Sequence, residues 1–423
     1  MRIAMLSLHS CPLDAPGRRD TGGMNVYVHE LARRLGEKGN PVDIFTTSHP
    51  GDSGESPKPC RNVQLVHLPV NRTGGKLGLL PQLPDLASAI AEYASARKLD
   101  YKIVHSHYWL SGLVGIQLAR QWQSPHVVML HTSAKAKNAH IRPGADPVLR
   151  EKAEKNVLAS ADLIIASTLM ERIDLEWMYS AEASKTVIIP CGVDLKMFHP
   201  YPKDEARREL NLSRVPVFLY VGRLERGKGI EFLLEGLALA GDSRARLLIV
   251  GGDRSQKEYL FRLQAIARKL NIERRVEFIG AVPHERLPVY YSAADACVLP
   301  SRYETFGMVG LESLACGTPV IASPVGAMPG VIKHGRNGLL MGEPSADEVA
   351  AAMNLMLTEP GLTDRMRAAA RDSVWRYDWD EVARKVVQQY GRLLRKKKSP
   401  ASGSSLHTES EVQDRCGKQD RPT

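Results

Sequence analysis

Short apolar runs of strand length alternate with stretches of helical period along almost the whole chain, and the alternation happens twice. "RIAMLSL" (2–8) reads as a buried strand. A glycine-rich loop leads from it into "NVYVHELARRLGEKGN", where Val26, Val28, Leu31 and Leu35 recur roughly at helical spacing. "PVDIFTT" follows as the next strand, and such a strand–helix–strand unit implies parallel pairing with a right-handed crossover. The pattern continues through "VQLVHLPV", a helix over 82–98, "IVHSH", a helix over 109–121, "HVVMLHT", a helix over 146–160, "LIIAS" and "TVIIP".

Pro200 and Pro202 interrupt both periods near 195–215, and the alternation then restarts. "PVFLYVGRL", the helix "GIEFLLEGLALA", "RLLIVGG", a helix over 255–270 and "VEFIG" come first. A helix over 284–293, "ACVLP", a helix over 308–316, "PVIAS" and a helix from about 346 follow. A chain of 423 residues is too long for one typical core. Two doubly wound α/β domains, 1–197 and 198–376, are the economical reading, with ligands at the carboxyl ends of their strands. A last amphipathic helix, 377–395, follows a domain that is already complete. Residues 399–423 lack core-forming side chains and are expected to be disordered.

Hydrophobic content of 43% and charged content of 25% are those of a globular protein, with no apolar run of bilayer-spanning length. The N-terminal stretch reads as a strand rather than an export signal, which makes the cytoplasm the expected location. The cysteines (11, 60, 191, 297, 316 and 416) show no paired spacing, so neither a zinc site nor a disulfide framework is expected. The net charge of +10 favours anionic partners: nucleic acid, phosphorylated metabolites or an acidic membrane surface. Part of that charge sits in "RLLRKKK" near residue 395, and the charge alone does not choose among these partners.

Five stretches carry chemistry. "GRLERGKG" (222–229) puts Arg223 and Lys228 among three glycines between a strand and a helix, a cradle for phosphate or a solvated basic turn. It is not a Walker A motif. "PSRYETFGMVGLESLACGTP" (300–319) holds Glu304 and Glu312 eight positions apart. On one continuous helix they would lie about 80° apart, and Gly307 argues against continuity. Glu304 is therefore expected on the loop leaving "ACVLP", with the helix starting near Phe306–Met308 and Glu312 about a turn inside. Backbone N–H groups of Phe306, Gly307 and Met308 would then face an anion between two carboxylates. A glycosidase would also use two carboxylates, but that reading leaves the basic loop without purpose.

The Gly22-Gly23-Met24-Asn25 loop lets a ligand approach the backbone, yet it lacks the dinucleotide fingerprint and the acidic residue that should follow. "LHTSAKAKN" and "HSHYWLSG" place His131, Thr132, His105, His107 and Tyr108 at strand ends. A metal at His105 and His107 would need a carboxylate or thiolate that the motif does not supply.

Taken together, "GGMNVYV", "VGRLERGKG" and "ETFGMVGLE…ACGTPVIAS" resemble the retaining glycosyltransferases of family 4, over roughly residues 1–395. The resemblance implies the GT-B fold, two Rossmann-like domains facing a cleft, with the last helix crossing back to the first domain. It implies a nucleotide-sugar donor such as a UDP-sugar, no cofactor and no metal. Arg223 and Lys228 would bind the donor diphosphate, Glu312 the ribose, and Glu304 with the Phe306–Gly307–Met308 backbone the sugar. His131 would stand near the anomeric carbon, with Gly23 against the diphosphate. Within the family, "HSHYWLSG" and the His-Thr stretch resemble the branch acting on inositol phosphate, and sucrose-phosphate synthase-like enzymes share the pattern. By that resemblance Asn25, Lys76, Tyr108, Thr132 and Arg150 would hold a small acceptor, with or without a phosphate. A lipid acceptor at a membrane surface, sugar-nucleotide epimerisation and non-catalytic nucleotide binding are the alternatives. A homodimer is compatible with this reading, and nucleic acid is not an expected partner.

Overall fold

Unbroken apolar runs are what strands covered on both faces require, and every strand pairs in parallel with its neighbours in one of two sheets. The computed structural model describes residues 1–13, 22–47, 60–71, 75–140, 144, 146–252 and 256–398. The first sheet contains β1 (Arg2–Leu6), β2 (Val42–Thr47), β3 (Val63–Leu68), β4 (Tyr101–His107), β5 (His126–Met129), β6 (Leu163–Ala166) and β7 (Thr186–Ile188). The second contains β8 (Val217–Val221), β9 (Arg246–Val250), β10 (Val276–Gly280), β11 (Ala296–Leu299), β12 (Val320–Ala322) and β13 (Gly338–Leu340).

Their orders are β3-β2-β1-β4-β5-β6-β7 and β10-β9-β8-β11-β12-β13. The order reverses between β1 and β4 and again between β8 and β11. Crossover chains leave in opposite directions at such a switch point, opening a crevice beyond the strands' carboxyl ends. Two such crevices face each other across one cleft.

The elements follow the sequence pattern closely, with some differences. The expected helix over 82–98 spans Leu83–Ala96 and is preceded by a 3₁₀ segment, Leu77–Gln82. The one expected over 284–293 divides into a 3₁₀ turn, His284–Arg286, and a helix, Leu287–Ala293. Helices Ala134–His140, Leu169–Tyr179, Lys203–Glu209 and Leu362–Ala370 were not anticipated, nor was β13. The last helix begins at Trp379 rather than 377 and reaches Lys398. The expectation for 399–423 lies outside the described residues.

That last helix follows the second sheet in sequence but packs on the first. Trp379 is 1% exposed and meets Tyr27 edge-on at 5.3 Å, and Tyr390 is fully buried. Gly192 is required beneath it, because a Cβ there would lie 2.5 Å from the Trp379 ring. Val193 pairs with Asp378 as an isolated bridge, its N–H donating to Tyr377 O at 2.8 Å. Asp380 accepts from Arg34 at 3.3 Å and Lys38 at 3.1 Å, tying the helix to Gly23–Glu37. Arg371 donates to the carbonyls of Leu195, Phe198 and Ala315, which fixes the connecting chain against the second domain. One apolar core runs through all of this, from Ile3 and Met129 to Leu219 and Val386. Among the described residues no helix is long and apolar enough to cross a membrane.

Trp379→Ala should therefore destabilise the chain by about 3–5 kcal/mol, read as a lower urea midpoint, whereas truncating the exposed Trp375 should leave the midpoint nearly unchanged.

Candidate active site

The cleft between the two carboxyl edges encloses about 650 Å³. Strand β8 delivers Gly222 and Arg223 to it, and the 222–229 loop is shaped by close backbone approaches. A Cβ at Gly251 would lie 2.0 Å from Gly222 O, and one at Gly229 would lie 2.0 Å from Pro300 O. Both glycines have positive φ, so a side chain is excluded twice over. The Tyr220 hydroxyl donates to Arg223 O at 2.9 Å, and Arg302 N–H donates to Gly227 O at 2.9 Å. The basic loop is thus seated on the loop leaving β11.

That seating brings Lys228 Nζ within 2.6 Å of Glu304 Oε1, which also accepts from Ser301 Oγ at 2.9 Å. Gly307, at φ +92°, separates Glu304 from the helix Met308–Ala315, as expected from the sequence. The first N–H groups of that helix lack intrahelical partners and lie on the cleft wall. Glu312, inside the helix, accepts from Tyr291 OH at 2.8 Å and pairs with His284 Nε2 at 3.1 Å. Burial works against a charged His284, but the Glu312 carboxylate outweighs it and holds the imidazole above its ordinary value of 6.5.

From the first sheet, Gly23 starts its helix directly opposite: a Cβ there would sit 3.2 Å from Met308 Cε. Asn25 lines the cleft but spends its side chain internally, donating to Ser10 Oγ and Cys11 O and accepting from Gly22 N. After β4, Tyr108 adopts φ +74° and ψ +157°, a costly conformation for a non-glycine residue. Its ring lies 4.1 Å from that of His9 and 4.9 Å from the Arg150 guanidinium.

After β5, His131 has φ +62° and places Nε2 2.9 Å from His107 Nδ1. Burial lowers its pKa to about 3, so it is neutral at any physiological pH.

Of the residues expected at the site, His131, Glu304, Arg223, Lys228, Gly23, Phe306, Gly307, Met308, Glu312, Asn25, Lys76, Tyr108 and Thr132 all line this one cleft. Arg150 does not. It is 2% exposed and committed to Glu154 at 2.7 Å, Asp146 at 2.8 Å and Thr132 O at 2.8 Å, behind the Tyr108 ring.

Sequence reasoning missed His284 and Tyr291, which hold Glu312 from 28 and 21 residues away. Lys137, within "SAKAKN" on the unanticipated helix after Thr132, also lines the cleft. Lys137 is disfavoured as a cation by burial and by the charges of Arg150, Lys76 and Arg223, with Asp146 opposing them. Among the described residues no group of three or more His, Cys, Asp or Glu is arranged to hold a metal ion.

Residues 21–197 match the family model "Glycosyltransferase Family 4", and residues 202–373 match "Glycosyl transferases group 1". The chain is 35% identical over 412 residues to the D-inositol 3-phosphate glycosyltransferase of Xylanimonas cellulosilytica, covering 94% of this chain and 98% of that one. It is 37% identical to the one from Geodermatophilus obscurus, over 92% and 89% of the two chains. Among solved structures it superposes on sucrose-phosphate synthase from Thermosynechococcus elongatus with a TM-score of 0.85 and 34% identity, covering 93% and 99% of the two.

The His284–Glu312 pair predicts a pH effect. Its contribution to stability is complete below pH 6.5 and fades as pH rises through the elevated pKa of folded His284. His284→Gln should flatten that part of the melting temperature's pH profile, measured by calorimetry between pH 6 and 8.5.

Proposed function

The chain belongs to the family 4 glycosyltransferases with the GT-B fold, enzymes that use a nucleotide-sugar donor, and we propose that it transfers a hexose with retention from a UDP-sugar to a small phosphorylated polyol. The observation that carries the acceptor class is Lys137. Asp146, 3.9 Å away, offsets only part of what burial and the like charges of Arg150, Lys76 and Arg223 cost its half-buried ammonium, and a dianion arriving in the cleft would supply more. The relatives named as inositol-phosphate transferases and the similarity to sucrose-phosphate synthase support the same class.

The donor half of the cleft supplies the remaining chemistry. Arg223 and Lys228 take the diphosphate, assisted by the amides at the start of helix Met308–Ala315. As the glycosidic bond breaks, charge accumulates on the departing diphosphate, and fixed cations and N–H groups stabilise it without reorganising. Arg223 gives up an exposed pair with Glu225, at 2.8 Å, to do so. Lys228 turns from Glu304, freeing that carboxylate to accept from sugar hydroxyls beside the anomeric carbon. Glu312, oriented by His284 and Tyr291, accepts from the ribose hydroxyls. His131 meets the donor sugar from the opposite wall. Tyr108, Thr132, Lys76 and Lys137 hold the acceptor, while Arg150 stiffens Tyr108 from behind. Since side-chain cations supply the charge, transfer is expected to persist in EDTA.

Glu304→Ala and Lys228→Ala should each lower kcat by about 10²- to 10³-fold with the circular dichroism spectrum unchanged. Full activity in either would remove the donor assignment. Lys137→Ala should raise KM for a hexose or inositol phosphate by roughly tenfold, the loss of one ion pair, and leave KM for the UDP-sugar unchanged. An equal loss against an uncharged polyol would exclude the phosphate role.

A further inference from the structure

Behind His131 lies a row of buried rings that the chemistry above leaves unused. His107 Nδ1 is 2.9 Å from His131 Nε2. The His105 ring packs on His107 with centroids 4.3 Å apart. His105 Nδ1 is in turn 2.7 Å from the hydroxyl of Tyr390, on the crossing helix and 285 residues away in sequence. His105 and His107 lie two apart on β4, so they share a face of the sheet, and both are fully buried. The Nε2 atoms of both have no hydrogen-bond partner among the described residues.

That pattern selects a tautomer. Burying an N–H with no acceptor is rarer in folded proteins than burying an under-used lone pair. For His107 the unpartnered Nε2 is therefore bare, and the ring carries its proton on Nδ1 and donates to His131 Nε2. His105 shares one hydrogen bond with the Tyr390 hydroxyl, which can run in either direction. A ring nitrogen that accepts cannot also hold the proton, so a neutral His131 carries it on Nδ1, the nitrogen that His107 does not occupy.

We propose that His107 is a positioning residue that fixes His131 as the Nδ1–H tautomer, making His131 a neutral hydrogen-bond donor to the donor sugar rather than an acid or a base. The hydrogen bond made at one ring nitrogen decides which of the two carries the proton. Burial holds His105 and His107, like His131, far on the neutral side, so no proton is shared along the row. Tyr390 extends the row to the crossing helix, which makes the catalytic wall depend on a segment of the chain that follows the second domain.

The proposal rests on the reading that His131 meets the donor sugar, and the test separates the two. ¹⁵N spectra of the histidine-labelled full chain, assigned with His131→Asn, should show the His131 proton on Nδ1; a proton on Nε2 overturns the proposal. His107→Leu should lower kcat roughly tenfold or more, with KM for the UDP-sugar within about twofold. His107→Asn, whose amide N–H can stand where Nδ1–H stood, should recover most of the loss. Full kcat in His107→Leu overturns the proposal, as does equal loss in both variants. If the leucine variant fails to fold, the asparagine variant decides alone: its His131 must keep the proton on Nδ1. A fully active His131→Ala would overturn the reading beneath it as well.

Discussion

Trp379 packed against Gly192 is the contact on which the rest depends. Each sheet by itself brings only half of the site to its carboxyl edge. The first contributes Gly23, Tyr108 and His131, the second Arg223, Lys228, Glu304 and Glu312. Neither half encloses a substrate. The chain crosses between them near 193–198 and returns near 378, where Val193 and Asp378 pair and Arg371 gathers the connecting carbonyls. A helix whose tryptophan needs a glycine beneath it docks where Gly192 stands, beside the two chain segments that join the halves.

Within the cleft, charges are satisfied by one another in ways a ligand can exchange. Arg223 and Glu225 are each about two-fifths exposed, a pair worth roughly 0–1 kcal/mol and cheaply surrendered. Lys228 and Glu304 are more enclosed, so a ligand that opens this pair has to satisfy both partners together. The Arg150, Glu154 and Asp146 cluster is different. With Arg150 2% exposed and Glu154 fully buried, it braces the Tyr108 wall and has no reason to open. Ease of exchange therefore separates groups that bind from groups that hold.

Much of this was legible beforehand because parallel α/β chains write their strands as unbroken apolar runs and their ligand loops as glycine and charge. Gly307 correctly separated Glu304 from Glu312. What escaped has physical reasons. Strand β13 holds only Gly338, Leu339 and Leu340, with no β-branched or aromatic residue to mark it as a strand, unlike the equally short β7 and β12. Helix Leu169–Tyr179 buries Leu175 and Tyr179 yet exposes Leu169, Met170, Ile173 and Trp177, so it lacks a clean amphipathic stripe. The partnership of His284 and Tyr291 with Glu312 exists only in three dimensions. Arg150 was expected at the acceptor from the resemblance alone, and no motif shows the carboxylates that engage it here.

On the proposed function, this cleft holds two separate anion sites, a diphosphate site on the second domain and an acceptor-phosphate site centred on Lys137. Phosphorus NMR of a hexose phosphate bound to the UDP-saturated enzyme measures this directly, because the phosphate reports its own ionisation. A cation cluster should keep the bound phosphate dianionic well below its ordinary second pKa of about 6. A bound phosphate that titrates as it does free in water, or one displaced by UDP, would contradict the account.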